Sequence, residues 1–143
     1  MAALCDVNFL VAMCHRAHQH HGNAKGWLDA GGGDAGLVLC RVSQLGILRL
    51  LTNPVIMKSE VCTTDQAWEV HDGILRDARF SYREEPASLQ AKLREFTRGF
   101  PFAPKLWQDA YLAAFAVSAG LGLVTFDQGF GKFAGLRAEI LTV

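Results

Sequence analysis

Three short runs without apolar–polar alternation, Ala2–Cys5, Gly36–Cys40 and Leu121–Phe126 (apolar but for Thr125), are separated by segments with helical spacing. A strand with one wet face alternates apolar and polar residues, whereas a run without alternation is buried on both faces. Both faces of a sheet are covered when helices connect parallel strands. That requirement limits the chain to an α/β architecture with a central, mainly parallel sheet. Two further strands are expected, Phe80–Tyr82 and Ala138–Val143. The first helix starts at Asn8 and frays over His18–Gly22, and a short second helix covers Ala24–Leu28 before the loop Gly31–Gly33. Gln44–Leu51 follows, with Ser43 as its cap and Asn53-Pro54 as its stop. Thr64 is expected to cap a helix that carries Trp68, His71 and Leu75 at helical spacing. Ser88–Arg98 is amphipathic, and Lys105–Ala119 is a helix with several small residues. With 143 residues, no internal repeat and no linker-like stretch, one domain over 1–143 is expected.

Charge and cysteine usage narrow the function classes. Fourteen Lys and Arg balance fourteen Asp and Glu, so bulk charge provides no nucleic-acid or anionic-membrane footprint, although a local basic face is compatible with neutrality. The longest uncharged run, Ala110 to Phe126, has 17 residues and is shorter than the roughly 20 that span a bilayer. The N-terminal stretch lacks a basic region and is interrupted by Asp6, unlike a signal peptide. Cys5, Cys14, Cys40 and Cys62 form no close pair, and Cys5 and Cys40 read as small buried hydrophobes. A reducing, cytoplasmic setting without a membrane partner is expected.

Two strand candidates run into an aspartate, Cys5-Asp6 and Phe126-Asp127. In open α/β sheets ligands bind beyond the carboxyl ends of the strands, so neighbouring strands would project both carboxylates into one crevice. Asp109 stands near a helix start with Ala113 and Ala116 on its face, which can point it at the same crevice. A lone aspartate at a strand end serves as a turn former or helix cap. Three together repel unless a cation joins them, and hard oxygen ligands suit Mg²⁺ or Mn²⁺. The cluster His15, His18, His20 and His21 reads as a solvated helix end rather than a metal site. Arg76, Arg79, Arg83, Lys92, Arg94 and Arg98 are mixed with Glu84, Glu85 and Glu95. They read as solvated helical faces rather than an RNA-guiding patch. No phosphate-loop pattern is present.

The segments MAALCDVNFLVAMCHRAH, GLVLCRVSQLGILRLLTNP and, most specifically, LWQDAYLAAFAVSAGLGLVTFDQGF resemble the PIN-domain ribonucleases, more narrowly the VapC toxins of toxin–antitoxin pairs. The resemblance runs the length of the chain. It implies a three-layer α/β/α sandwich and an acidic site holding one or two divalent ions, Mg²⁺ with Mn²⁺ as the substitute. It carries the family's acids onto Asp6, Asp109 and Asp127. The family's remaining acid, a Glu after the second strand, falls on Gln44, which removes one negative charge. The resemblance further implies cleavage of structured RNA, transfer or ribosomal, with inhibition of translation and growth. It implies neutralisation by a VapB-type antitoxin and a homodimer. His21 is expected to face the RNA, and Arg49, five residues after Gln44, to reach an RNA phosphate or pair with a site carboxylate. Two alternatives stand beside this reading: a catalytically weak PIN scaffold that binds RNA or antitoxin, and a metal-dependent phosphatase. Asp6-Val7-Asn8 lacks the second aspartate expected of a haloacid-dehalogenase-like phosphatase.

Overall fold

The computed structural model describes residues Met1–Thr142. Five strands, β1 (Ala3–Cys5), β2 (Leu37–Leu39), β3 (Phe80–Tyr82), β4 (Gly122–Thr125) and β5 (Ala138–Ile140), form one sheet in the order β3-β2-β1-β4-β5. Every pairing is parallel. The helices are α1 (Val7–Cys14), α2 (His21–Asp29), α3 (Arg41–Leu51), α4 (Pro54–Met57), α5 (Thr64–Arg76), α6 (Leu89–Thr97) and α7 (Leu106–Ala119).

Side chains alternate across a strand, and here the alternation sorts the core into two halves. Cys5, Leu37, Leu39 and Val124 face one half with Phe9, Leu10, Ile47 and Leu51 of α1 and α3. Leu4, Val38 and Leu123 face the other half with Phe96 of α6 and Leu112 and Phe115 of α7. The result is helix, sheet, helix, the three layers expected from unbroken apolar strands. Small residues set the spacing: Ala110, Ala113, Ala114 and Ala116 are buried along α7. On the opposite layer a Cβ at Gly46 would sit 2.4 Å from Cγ2 of Val7, so α3 and α1 meet at that glycine. Gly120 takes the left-handed conformation, φ 71°, that ends α7 and turns the chain into β4.

Several boundaries differ from expectation. His18–Gly22 is not a frayed end. α1 stops at Cys14, and His21 opens α2 while its Nδ1 lies 2.8 Å from the carbonyl of Ala12. His15 is buried with Nδ1 2.8 Å from Glu60, and His20 stacks on Phe126 at 4.8 Å. The histidines are thus taken up in packing. Ser43 is the third residue of α3 rather than its cap. Cys40 occupies the cap, and its N–H donates to the Ser43 Oγ at 2.9 Å. Thr63, not Thr64, caps α5, in a reciprocal pair with Gln66. Asn53-Pro54 ends one helix and begins another, because the Asn53 side chain accepts from Val55 and Ile56 N–H and proline suits a first helical position. β4 ends at Thr125, before Phe126. The final strand is Ala138–Ile140; the expected end at Val143 lies outside the described residues. Among the described residues no helix is long and apolar enough to cross a membrane.

Candidate active site

The chain enters the sheet at its centre with β1, builds outwards through β2 and β3, then returns to place β4 on the other side of β1. The connection reverses direction between β1 and β4, and crevices in open parallel sheets form at the carboxyl ends of such strand pairs. Asp6 directly follows β1 and Asp127 lies two residues past the end of β4. α7 leads into the start of β4, so it runs antiparallel to the strands, and Asp109 in its first turn reaches the same carboxyl edge.

Asp6 caps α1. Its Oδ1 accepts the N–H of Val7 at 2.7 Å, and its Oδ2 accepts the hydroxyl of Thr125 at 2.7 Å. Asp6 is buried, and burial pushes its carboxyl pKa from an ordinary 3.8 to about 6. The Thr125 and Val7 hydrogen bonds oppose that rise, and the charges of Asp109 and Asp127 add to it. Asp109 is half-buried and also raised, first by burial and then by Asp127, with Lys132 pulling the other way. Asp127 is exposed, and its Oδ1 accepts Gly129 N–H at 2.8 Å. The three carboxylates, 103 and 18 residues apart in sequence, thus sense one another's charge. Asp6 and Asp127 are at the same time helix or turn caps, so the structural and electrostatic readings of these residues hold together. Among the described residues no three His, Cys, Asp or Glu side chains are grouped to hold a metal ion by themselves.

Gln44 is buried at the start of α3. Its Oε1 accepts from Arg41 at 2.5 Å, and its Nε2 lies 3.1 Å from Nε2 of His71. The other ring nitrogen of His71 is 2.9 Å from Asp72 Oδ1. A neutral His71 that donates from Nδ1 to Asp72 and accepts at Nε2 from Gln44 satisfies both contacts. The amide is therefore tethered to Arg41 and His71, and no hydrogen bond joins it to the three aspartates among the described residues. His21 braces α1 against α2 through Ala12. Arg49 is exposed and lines a groove of about 310 Å³ between α3 and α5 with Leu45, Leu48, Thr52, Thr64, Ala67 and Trp68. That groove contains no carboxylate.

Thr125 and Asn8 were not anticipated. The Thr125 hydroxyl donates to Asp6 and accepts the N–H of Asp127 at 2.9 Å, so one side chain positions both aspartates. Asn8 Oδ1 accepts the N–H of Phe126 at 3.2 Å, and its Nδ2 donates to Thr125 at 3.3 Å. A hydroxyl closing an otherwise apolar strand, just before Phe126-Asp127, was the available signal.

The raised Asp6 carboxyl makes a prediction for the cation-free protein. The folded state holds this proton more tightly than the unfolded chain. The stability from Asp6 is complete below pH about 3.8 and is lost as pH rises through about 6. The difference is on the order of 3 kcal/mol. Denaturant unfolding with EDTA present, compared between the wild type and Asp6→Asn, should show the wild type losing ground to the variant from pH 4 to pH 7. Parallel curves across that range would contradict the assignment.

The PIN-domain family model matches residues 3–136. The chain belongs to the PIN-domain family. Within it, ribonuclease VapC41 of Mycobacterium tuberculosis is 37% identical over 142 residues, covering 96% of this chain and 97% of that protein. The fold is shared with a chain of VapBC2 from Rickettsia felis bound to a DNA fragment from their promoter, at TM-score 0.72, 15% identity and coverage of 99% and 100%. It is shared too with VapC20 of Mycobacterium tuberculosis, a sarcin-ricin loop cleaving toxin, at TM-score 0.66, 16% identity and coverage of 99% and 100%.

Proposed function

We propose that this protein is a metal-dependent endoribonuclease toxin of the VapC type. It cuts structured RNA, transfer or ribosomal, in the cytoplasm and so stops translation and growth. A VapB-type antitoxin neutralises it, residues 1–143 act as one PIN domain, and the working form is a homodimer. The observation that carries the reading is that one Thr125 hydroxyl holds both Asp6 and Asp127 at the carboxyl ends of β1 and β4, with Asp109 in the first turn of α7, in a chain related to named VapC ribonucleases.

The donor set fits a hard divalent ion. All three groups offer carboxylate oxygen, and Mg²⁺ is held through one or two carboxylates with retained water rather than by a closed protein cage. When bound, Mg²⁺ or Mn²⁺ supplies an acidified water and neutralises charge on a phosphate. The protein's part is positional. Thr125 and Val7 hold the Asp6 carboxylate, Gly129 holds that of Asp127, and the first turn of α7 carries Asp109. These oxygens are in place before substrate arrives, so little reorganisation accompanies the reaction. An antitoxin Arg or Lys set against the same oxygens would relieve their repulsion and block the site.

The test is RNA cleavage by the purified protein in Mg²⁺, its loss with EDTA, and its suppression by the antitoxin. No cleavage under any divalent ion would overturn the nuclease reading.

Gln44 favours a second reading, a weakened or inactive scaffold, because the amide supplies no charge. Gln44→Glu discriminates between the two. The new carboxylate would pair first with Arg41, which already donates to this side chain. A modest fall in the Mg²⁺ requirement of cleavage is therefore expected. A requirement that does not move would show that position 44 plays no part in holding the ion.

A further inference from the structure

The segment between α6 and α7, together with the first turn of α7, leaves three large aromatic side chains in water within eight residues. Phe102 is 95% exposed, Trp107 59% and Phe100 48%. Exposed apolar groups concentrated this way mark a binding surface. Phe100, Phe102 and Pro104 line a cavity of about 380 Å³ together with Lys105, Lys132 and Asp109. Trp107, one turn or less along the chain, lines an open cleft of about 610 Å³ with Arg94, Arg98 and Leu93.

The charge around these rings is one-sided. Lys105, Lys132, Arg94 and Arg98 line the two hollows against a single carboxylate, Asp109, in a chain whose net charge is zero. Glu95, the one carboxylate of α6, is paired with Lys92 at 2.6 Å. Of the other cations in the same stretch, Arg79 is tied to Asp77 through two of its nitrogens. Among the described residues Arg94 and Arg98 form no ion pair within 4 Å, and Arg98 acts on Glu95 only at longer range.

We propose that Phe100, Phe102 and Trp107, with Lys105, Lys132, Arg94 and Arg98, form a platform that stacks unpaired bases of an RNA leading into the acidic site. The proposal rests on the ribonuclease reading and adds a substrate feature, an unpaired stretch beside the cut. Aromatic faces with interleaved cations suit single strands, because every base has a face to stack and every nucleotide brings a phosphate. A duplex keeps its bases stacked on each other and offers only the phosphates. A second copy of the chain fits poorly, since it would bring four like charges against four. Asp109 lines the first hollow, so a strand lying across Phe102 reaches that carboxylate.

The experiment measures binding, not cleavage. The full chain is titrated with EDTA present into a fluorescent single-stranded RNA 12-mer and into its duplex. The single strand should bind more tightly, and the paired change Phe102→Ala with Trp107→Ala should weaken it by about 10- to 100-fold while duplex binding holds. Phe102→Tyr with Trp107→Phe should restore affinity, because both rings still stack. Val55→Ala, exposed on α4, should change nothing. Equal losses for single strand and duplex, or no loss, would overturn the platform. So would an effect of the double variant confined to self-association in sedimentation, or to antitoxin binding. Preserved single-strand preference in a protein that cleaves no RNA would retain the platform and reject the nuclease reading.

Discussion

Asp6→Asn, Asp109→Asn and Asp127→Asn should each lower Mg²⁺-supported RNA cleavage by a factor on the order of 10²–10³ without loss of the fold. An amide has nearly the shape of the carboxylate and retains one acceptor oxygen. At position 6 that oxygen can still cap α1 through Val7, and at position 127 it can still accept from Gly129. What disappears is charge, and a divalent ion is held by charge. The same loss relieves the mutual repulsion that helps to raise the Asp6 and Asp109 carboxyls. Cleavage in Mg²⁺ should therefore fall while the stability of the cation-free protein rises. A cleavage assay with a metal titration, set beside thermal unfolding in EDTA, reads both. A variant at any of the three positions with undiminished cleavage would remove that residue from the site.

Thr125→Val should be nearly as damaging, though Thr125 need not touch an ion. Valine matches threonine in shape but lacks the hydroxyl, so Asp6 Oδ2 loses a donor and the N–H of Asp127 loses an acceptor. Thr125 is fully buried, and leaving such groups unpaired costs about 1–3 kcal/mol. Removing a group that orients ligands typically costs about 10–100-fold in activity. The pH profile separates this effect from general damage. The Thr125 hydrogen bond lowers the Asp6 pKa, so its removal raises a carboxyl already near 6. The acid limb of the activity profile should shift to higher pH, and cleavage should recover partly on going from pH 7 to pH 8. Thr125→Ser, which keeps the hydroxyl, should restore both the rate and the limb. A uniform loss at every pH with no rescue by serine would assign Thr125 to packing alone.

The legible features were those written in contiguous residues. Ala2–Cys5, Gly36–Cys40 and Leu121–Phe126 contain their own evidence, since an unbroken apolar strand requires cover on both faces wherever it lies. The all-parallel sheet, its helical layers and the aspartates at two strand ends follow from that local pattern. Caps were less legible, because Ser43 and Thr63-Thr64 offer several hydroxyls and the choice depends on which backbone N–H is left free. Pairings across the fold belong to the tertiary structure. Asp6 and Thr125 are 119 residues apart and meet only because β4 lies beside β1 in a register that sets Cys5 against Val124. Gln44 is read from the chain as a substitute for an acid; only the packing of α3 against α5 brings His71, 27 residues on, within reach of its amide. The aromatic platform has the same origin. Phe102 and Trp107 look like ordinary core residues until the fold fills both sides of the sheet without them. Local pattern thus determined which residues become strand, helix and strand-end carboxylate, because backbone geometry and burial act over a few residues. The meeting of Asp6, Asp127 and Thr125 was decided by strand order, because hydrogen-bonded neighbours in a sheet need not be neighbours in sequence.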